Sequence, residues 1–354
     1  WGATAGVATL VGPILGGVLV DVAGWEWIFF INVPVGIVGF VLAWRLVPTL
    51  ETHNRRFDWL GVALSGAGMF LLVFGIQEGE QLGWSSTVWA LIVTGLVVFA
   101  GFVFWQSRNT REPLVPLHLF GERNFSLANV AITAMGFSIT AVAIPLMLYA
   151  QLVRGMTPTE AAFLLVPMAL VTIALARYVG GLTDRVHPRN LLTIGFVALV
   201  VSLVWLVQTL TPEAPVWQIL LPMALFGFGN AFVWAPNSAT ATRNLPVHLA
   251  GAGAGVYNAT RQLGAVLGAA GIAVLMDARV AAAGLGSFDP TQARPGVALP
   301  ERLQAPFAEA MGQAIYLPAA VFVIGLIAAL FLERPRHVGF APSPPVGVPA
   351  QQNV

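Results

Sequence analysis

The sequence predicts an all-α, polytopic membrane protein on the basis of its hydropathy, its scarcity of charge and the spacing of its apolar segments. Hydrophobic residues make up 57% of the 354 residues and charged residues only 9%, whereas an average soluble domain carries about 25% charged residues. The mean hydropathy is +0.79. Apolar windows long enough to cross a bilayer recur along most of the chain. We therefore expect a bundle of transmembrane helices.

Ten such windows are predicted, each close to the roughly 20 residues that a spanning helix requires. They lie at residues 3–20, 28–47, 59–76, 88–105, 127–148, 161–176, 191–210, 216–233, 253–276 and 314–332. Residues 336–354 follow the last window and are rich in proline. This composition predicts a disordered tail.

The arginines predict how the windows are oriented in the membrane. All 17 basic residues are arginine. Twelve of them lie on alternate connections, at positions Arg45, Arg55, Arg56, Arg108, Arg111, Arg123, Arg177, Arg185, Arg189, Arg243, Arg334 and Arg336. Basic loops face the cytoplasm, so we expect these connections, the tail and the C-terminus on the cytoplasmic side of a plasma membrane.

Several function classes lack the residues they need. The chain contains no cysteine, which excludes disulfides and thiolate metal sites. A net charge of +1 gives no general attraction for nucleic acid. No Walker A, HExxH or GxSxG motif occurs. We therefore expect neither an enzyme nor an ATP-driven pump, and no cofactor or metal.

A cluster of glycine and proline inside the first window predicts a helix-packing face. Residues 12–17 read GPILGG, and its members Gly12, Pro13, Gly16 and Gly17 would break a soluble helix but are tolerated in a membrane helix that its neighbours cover. Residues 25–36 then read WEWIFFINVPVG. The alternative is an ordinary contact of small residues with no role in transport.

These two stretches resemble the antiporter motif of the major facilitator superfamily, and they are most similar to its fourteen-helix drug:proton antiporters of the EmrB/QacA type. Residues 57–61 (FDWLG) and 111–117 (REPLVPL) also resemble segments of that family. The resemblance implies a helical bundle in which residues 1–48 end the N-terminal half. Residues 49–124 form a central helix pair with cytoplasmic linkers, and residues 125–335 form a C-terminal bundle of six helices.

The same resemblance implies that four helices precede this stretch in the family's full pattern, and we expect an N-terminally truncated chain. Family members generally keep their acidic coupling residues in those helices. No Asp or Glu lies in the middle of any of the ten windows. Asp21, at the end of the glycine-rich helix, is the acidic candidate that this chain offers for the pathway.

One loop resembles the second copy of the superfamily's loop motif. Residues 180–189 read GGLTDRVHPR. A glycine permits a tight turn, and Asp184 favours a helix N-terminus, so we expect Gly180, Asp184, Arg185 and Arg189 to form a latch in which Arg185 or Arg189 bridges to a neighbouring helix. The alternative is a solvated basic loop.

The ninth window holds the strongest chemical anomaly. Its residues 255–264 read GVYNATRQLG and resemble a segment of the same antiporters. Asn258, Arg261 and Gln262 have the i, i+3, i+4 spacing of one helix face, and an intramembrane arginine costs at least about 2.5 kcal/mol unless it faces protein or water. We expect these residues and Asn237 to shape the pathway of substrate or protons. The alternative is a structural arginine satisfied by carbonyl groups.

The resemblance implies a proton-coupled secondary transporter that exports amphipathic drugs or similar compounds across the plasma membrane by alternating access. Its partners would be a small amphipathic substrate, protons and the lipid bilayer, without nucleic acid. The sequence leaves two alternatives open. One is an exporter of a lipid, siderophore or other metabolite, and the other is a non-transporting membrane scaffold left by truncation. Oligomeric state leaves no trace in the sequence.

Overall fold

A computed structural model describes most of the chain. The described residues are 11–12, 15–20, 22–46, 57–79, 82–109, 113–246, 249–285 and 297–334. Within these ranges the chain folds into helices and contains no β-strand. The predicted tail, residues 336–354, and most of the first predicted window lie outside them.

Eleven α-helices have defined bounds in the described ranges. They are α1 (Trp27–Phe30), α2 (Asn32–Leu46), α3 (Trp59–Gln77), α4 (Ser86–Arg108), α5 (Arg123–Leu148), α6 (Pro158–Phe163), α7 (Val166–Thr183), α8 (Pro188–Thr209), α9 (Val216–Arg243), α10 (Ala250–Ala282) and α11 (Glu301–Leu330). A 3-10 turn, Leu117–Gly121, precedes α5, and a π-helical turn, Tyr149–Val153, follows it. Residues 15–20 are also helical.

Nine helical segments among the described residues are long and apolar enough to span a membrane. Each coincides with one of the ten predicted windows, so the predicted all-α membrane fold is confirmed. The predicted bounds were wrong at the last window, because α11 begins at Glu301, thirteen residues before the predicted start. The hydropathy pattern did not include residues 301–313 in the predicted span because they carry charged and amide side chains such as Glu309 and Gln313.

The sixth predicted window is divided into two helices. α6 ends at Phe163 and α7 begins at Val166. Pro167 stands at the start of α7, where its missing N–H group removes no helical hydrogen bond. Leu164 and Leu165 form the turn between the two helices, so one apolar window holds two helices.

The helices α5 to α11 form one bundle. α5 packs against α9, α10 and α11, while α9 also packs against α7 and α8, and α11 packs against α8. Three fully buried rings lie at its centre, with the ring of Phe322 5.9 Å from that of Phe226 and 6.2 Å from that of Phe196. The bundle therefore holds its own hydrophobic core.

Glycines allow the helices of this bundle to touch backbone to backbone. A side chain at Gly136 would collide with the carbonyl oxygen of Arg261, and one at Gly264 would collide with that of Thr133. Gly268 meets the backbone of Phe137 in the same way. Small residues at helix contacts are the usual device for close packing in membranes, and here they set the separation of α5 and α10.

The bundle is fastened at both ends by polar contacts. At one end the hydroxyl of Tyr149 donates to the carbonyl of Thr211 at 2.6 Å, and Arg154 donates to two further carbonyls of the α8–α9 loop. At the other end Arg123 pairs with Glu333 at 2.7 Å. The latter contact joins the start of α5 to the end of α11.

A second unit consists of the helix pair α3 and α4, which pack on each other and contact α10 through α3. Their glycines also meet backbone, since a Cβ at Gly68 would lie 2.9 Å from the nitrogen of Phe99. The resemblance predicted a central pair in this part of the chain, and the division of the chain into bundles stays a prediction.

Asp58 holds the end of this pair together. Its carboxylate caps α3 by accepting from the nitrogen of Gly61 at 2.9 Å, and it accepts from Trp105 Nε1 at 2.9 Å and Gln106 Nε2 at 2.8 Å. Gln106 in turn accepts from the nitrogen of Val115 at 3.1 Å. The segments 57–61 and 113–117, which were noted separately in the sequence, are thus joined through α4.

These hydrogen bonds change the acidity of Asp58, which lies just outside the spanning segment of α3. Burial is the largest single influence and raises the pKa, but the hydrogen bonds from Gly61, Trp105, Gln106 and Leu114 outweigh it together. They lower the pKa of Asp58 from 3.8 to about 2. The folded state therefore favours the ionised carboxylate.

We expect Asp58→Asn to lower the melting temperature of the protein at neutral pH, because hydrogen bonds to a charged acceptor contribute about 1.5–3 kcal/mol. The difference from the wild type should shrink as the pH falls through about 4 toward about 2, since the stabilisation from a depressed carboxyl pKa is lost when that group is protonated. Thermal unfolding in detergent over this pH range measures both effects.

The matched control is Glu78→Gln. Glu78 follows the other end of α3, and its carboxylate forms no hydrogen bond or ion pair within the described residues. This variant should match the wild type at every pH. A loss of stability in Asp58→Asn that is the same at pH 3 and pH 7 would contradict the assignment.

Candidate functional site

The glycine-rich helix packs against the start of α6 at a single glycine. A Cβ on Gly17 would lie 2.8 Å from the Cα of Thr159 and 3.1 Å from the carbonyl carbon of Pro158. Among the described residues nothing lies within 4 Å of a Cβ built on Gly12 or Gly16. Pro13 and Asp21 lie outside the described residues. The close contact predicted for this motif is therefore located at Gly17.

The surface that Gly17 meets is held rigid by a capping box. The Thr157 hydroxyl accepts from the nitrogen of Glu160 at 3.3 Å, and the Glu160 carboxylate accepts from the nitrogen of Thr157 at 2.9 Å. This reciprocal pair fixes the first turn of α6. Any side chain added at Gly17 would meet backbone atoms that cannot easily move.

The loop between α7 and α8 contains an ion pair, with a partner that differs from the predicted one. Asp184 pairs with Arg243, the last residue of α9, and Arg243 also donates to the carbonyl of Thr183. Within the described residues, the side chains of Arg185 and Arg189 form no hydrogen bond or ion pair. The bridge to a neighbouring helix is thus made by Arg243, which comes to the loop from a distant part of the chain.

His187 has a local role in the same loop. Its Nδ1 accepts from the nitrogen of Arg189 at 3.1 Å, and it thereby caps α8. Burial, followed by the charges of Arg334 and Arg189, lowers the pKa of His187 below its usual value. The imidazole is therefore neutral at neutral pH, as a cap that accepts a hydrogen bond requires.

The three polar residues predicted on α10 diverge in the structure. Asn258 is exposed and donates to the carbonyl of Ala254 in its own helix at 3.0 Å. Gln262 is also exposed and lines a cavity toward α3 and α4. Arg261 is half-buried, and no hydrogen bond or ion pair of its guanidinium exists within the described residues. The alternative of an arginine satisfied by carbonyls has no support there.

A network of hydrogen bonds joins α5, α9 and α10 next to Arg261. The buried Asn237 donates from Nδ2 to the carbonyl of Ala128 at 3.0 Å and to the hydroxyl of Tyr257 at 3.0 Å. In the adjacent layer, Thr260 donates to Oδ1 of Asn129 at 2.7 Å. Asn237 was predicted as a pathway residue, whereas its partner Tyr257 and the neighbouring Thr260 were not predicted from the sequence.

Two amide oxygens in this region have no partner. Oδ1 of Asn230 and Oδ1 of Asn237 are buried and accept no hydrogen bond within the part of the chain that the structure describes. The two residues are seven positions apart on α9, so they lie on the same face, about 10 Å apart along the axis. A buried unpaired acceptor costs about 1–3 kcal/mol, which calls for a donor from water or a ligand.

Acidic residues avoid the centre of the described bundle. None of the described Asp and Glu residues lies in the middle third of a candidate span. In the described ranges no group of three or more His, Asp or Glu side chains is arranged to hold a metal ion. The polar interior of the bundle is thus built from amides, hydroxyls and one arginine.

Comparison with known proteins agrees with this architecture. The sequence matches the Major Facilitator Superfamily over residues 1–269. It is 50% identical over 337 residues to an uncharacterised MFS-type transporter of Mycobacterium tuberculosis, covering 94% of this chain and 58% of the relative.

Two further relatives have names that refer to export or resistance. The Tetracenomycin C resistance and export protein of Streptomyces glaucescens is 30% identical over 365 residues, which cover 94% of this chain and 68% of that protein. Multidrug resistance protein Stp of Mycobacterium tuberculosis is 29% identical over 269 residues, which cover 76% of this chain and 50% of Stp.

The chain thus spans about half to two thirds of the length of these relatives. The family match covers more than half of the chain, and nine apolar helices among the described residues are long enough to cross a membrane. The chain is therefore a multi-pass membrane protein that belongs to the Major Facilitator Superfamily.

Proposed function

We propose that this protein is a proton-coupled secondary transporter that exports amphipathic drugs or similar compounds across the plasma membrane by alternating access. The observation that carries the proposal is membership of the superfamily together with relatives named for export and multidrug resistance. Secondary transporters bind substrates near the midplane between two bundles and move the bundles against each other. We propose that the bundle of α5 to α11, whose helices contribute six candidate membrane spans, is one such half.

The polar interior of this bundle supports a pathway on α9 and α10. Asn230 and Asn237 present unpaired oxygens on one face of α9, and Tyr257 links that face to α10. Arg261 lies one turn beyond Tyr257. An arginine at this depth with no partner among the described residues is expected to face water, so we propose that a hydrated path for substrate or protons passes these residues.

The proposed sidedness follows from the arginines. The contacts of Arg123 with Glu333 and of Arg243 with Asp184 lie at one end of the bundle, and Arg154 and Arg279 lie toward the other. We propose that the first end is cytoplasmic and that it carries the C-terminus. Asp21 remains the acidic candidate near the glycine-rich helix.

The proposal is tested by drug-driven proton movement. Inverted membrane vesicles containing the protein are energised, and ethidium or tetraphenylphosphonium is added while a fluorescent probe reports the interior pH. We expect each compound to release protons from the vesicles and an uncoupler to abolish uptake of the compound. Uptake that persists with the uncoupler would contradict proton coupling. If no amphipathic compound moves but a lipid or siderophore does, the proposed cargo is wrong.

The contact at Gly17 gives a sharp comparison between adjacent glycines. We expect Gly17→Val to lower the transport rate at least about tenfold, because the added methyl groups would overlap the backbone of Thr159 and displace the helix. Gly16→Val has no described neighbour to meet and should transport like the wild type. Both variants should insert into the membrane normally. Equal activity of the two variants would refute a role for this contact.

Arg261 is tested by removing its charge and by retaining it. We expect Arg261→Ala to reduce drug-dependent proton release about tenfold or more, while Arg261→Lys keeps part of it, because a positive charge in the path is retained. Arg302→Ala is the control, since Arg302 is exposed near the start of α11. Unchanged proton release in Arg261→Ala, measured with normal folding, would assign this arginine to structure alone.

A further inference from the structure

A cavity separates the helix pair α3 and α4 from α10. Its volume is about 700 Å³, and it is lined by residues of α3, α4 and α10 and by the segment that leads into α5. Thr260 stands between this cavity and the polar network, since its hydroxyl donates to Asn129 on α5. Apart from Thr260 and Gln262, the cavity shares no described residue with the polar groups considered for the pathway on α9 and α10.

The wall of this cavity is suited to hydrocarbon. No charged residue lines it, and its polar lining consists of Ser65, Thr260 and Gln262. The hydroxyl of Ser65 donates to the carbonyl of Val62 at 3.1 Å and that of Thr260 to Asn129, so both are already satisfied. A charged ligand would lose its hydration here and could gain only the amide of Gln262 as a further polar partner.

Glycines at the cavity leave space, unlike the glycines at helix contacts. A Cβ on Gly68 or Gly264 would meet backbone of a neighbouring helix at less than 3 Å. Gly66 and Gly255 line the cavity instead, and nothing lies within 4 Å of a Cβ built on either of them. The small residues on this side therefore maintain an open volume between α3 and α10.

The extent of the cavity corresponds to one leaflet of a bilayer. Its lining on α10 runs from Ala252 to Val266, which lie fourteen residues or about 21 Å apart along the axis. The hydrocarbon of a bilayer is about 30 Å thick, so the cavity is long enough to extend through one leaflet. Three lining side chains, Val103, Leu114 and Val266, are each about 40% exposed, so its rim opens to the membrane side of the molecule.

We propose that this cavity binds one acyl chain of a bilayer phospholipid, which fills the space between the central helix pair and α10. The chain enters from the leaflet that adjoins the segment Leu117–Gly121. Its methylenes fill the open space beside Gly66 and Gly255. The acyl chain thereby packs against both the pair α3 and α4 and the bundle that contains α10, which touch each other weakly along this surface. This site does not depend on the proposed transport activity.

The test uses the chain reconstituted into vesicles of phosphatidylethanolamine and phosphatidylglycerol. A small fraction of the phosphatidylglycerol carries a photoactivatable diazirine on one acyl chain, and the labelled peptides are identified by mass spectrometry after illumination. We expect label on the cavity-facing positions of all three helices, such as Met69, Phe102 and Leu263. Label distributed evenly over the membrane-facing surface would overturn the proposal.

Filling the cavity should displace the chain. Gly255→Leu is expected to lower the cavity label about tenfold, because its side chain takes the volume of several methylenes. Gly251→Leu is the matched control on the same helix, as Gly251 also has no neighbour within 4 Å but does not line the cavity, and it should leave the label unchanged.

A second variant, Gly66→Leu, fills the cavity from the opposite wall. It decides the result if Gly255→Leu does not fold, and folding is judged by elution in size-exclusion chromatography and by thermal unfolding. Undiminished label in a folded cavity variant would refute the site. Loss of label on adding tetraphenylphosphonium at concentrations that support transport would assign the cavity to the exported compound instead of lipid. Neither result depends on whether proton coupling is observed.

Discussion

Direct contact between helix backbones at glycine is the constraint on which the described bundle depends. Helices in hydrocarbon gain little from burying apolar side chains against each other, because lipid tails are equally apolar, so close packing has to supply much of the association. Gly136 and Gly264 place α5 and α10 in contact, and Gly227 does the same for α9 and the backbone of Met168 on α7. Larger side chains at these positions would separate the helices.

The same close approach creates the polar interior. Because α5 and α10 touch at Gly136 and Gly264, the side chains one turn away come within hydrogen-bonding distance, and Thr260 reaches Asn129. Asn237 then reaches both α5 and α10 from the third helix. Glycine packing and the polar network are therefore parts of one arrangement, and a change in helix separation would alter the environment of Arg261. In the proposed pathway, this arrangement would link the separation of the helices to the surroundings of Arg261.

Where the helix pair α3 and α4 meets the bundle, a cavity interrupts the packing between described residues of α3 and α10. Asp58 and Gln106 fasten this pair at one end through hydrogen bonds that lead to the segment before α5. Further along, Gly66 and Gly255 face open space. The pair α3 and α4 is thus held by hydrogen bonds at one end, while a cavity separates it from α10 further along. This differs from the continuous contacts inside the bundle and leaves room for an apolar chain.

Hydropathy along one chain records burial in lipid directly, so the membrane fold and most of the helix positions could be predicted from the sequence. The glycine motif, the resemblance to the family and the polar residue Asn237 were also identified there. Neighbouring residues of one type proved less alike than the sequence predicted. Among the described residues Gly17 meets backbone of another helix and Gly16 does not, and Asn258 and Gln262 share a spacing with Arg261 but face different surroundings.

The partners of the polar side chains follow from the packing of the helices in three dimensions. Asp184 pairs with Arg243 instead of Arg185 or Arg189, Asp58 joins α4 and the linker through Gln106, and Tyr257 completes the contact of Asn237. The physical reason is that a partner on another helix depends on the rotation and separation of both helices. Those quantities are set by how all the helices pack together, and no local pattern of residues contains them.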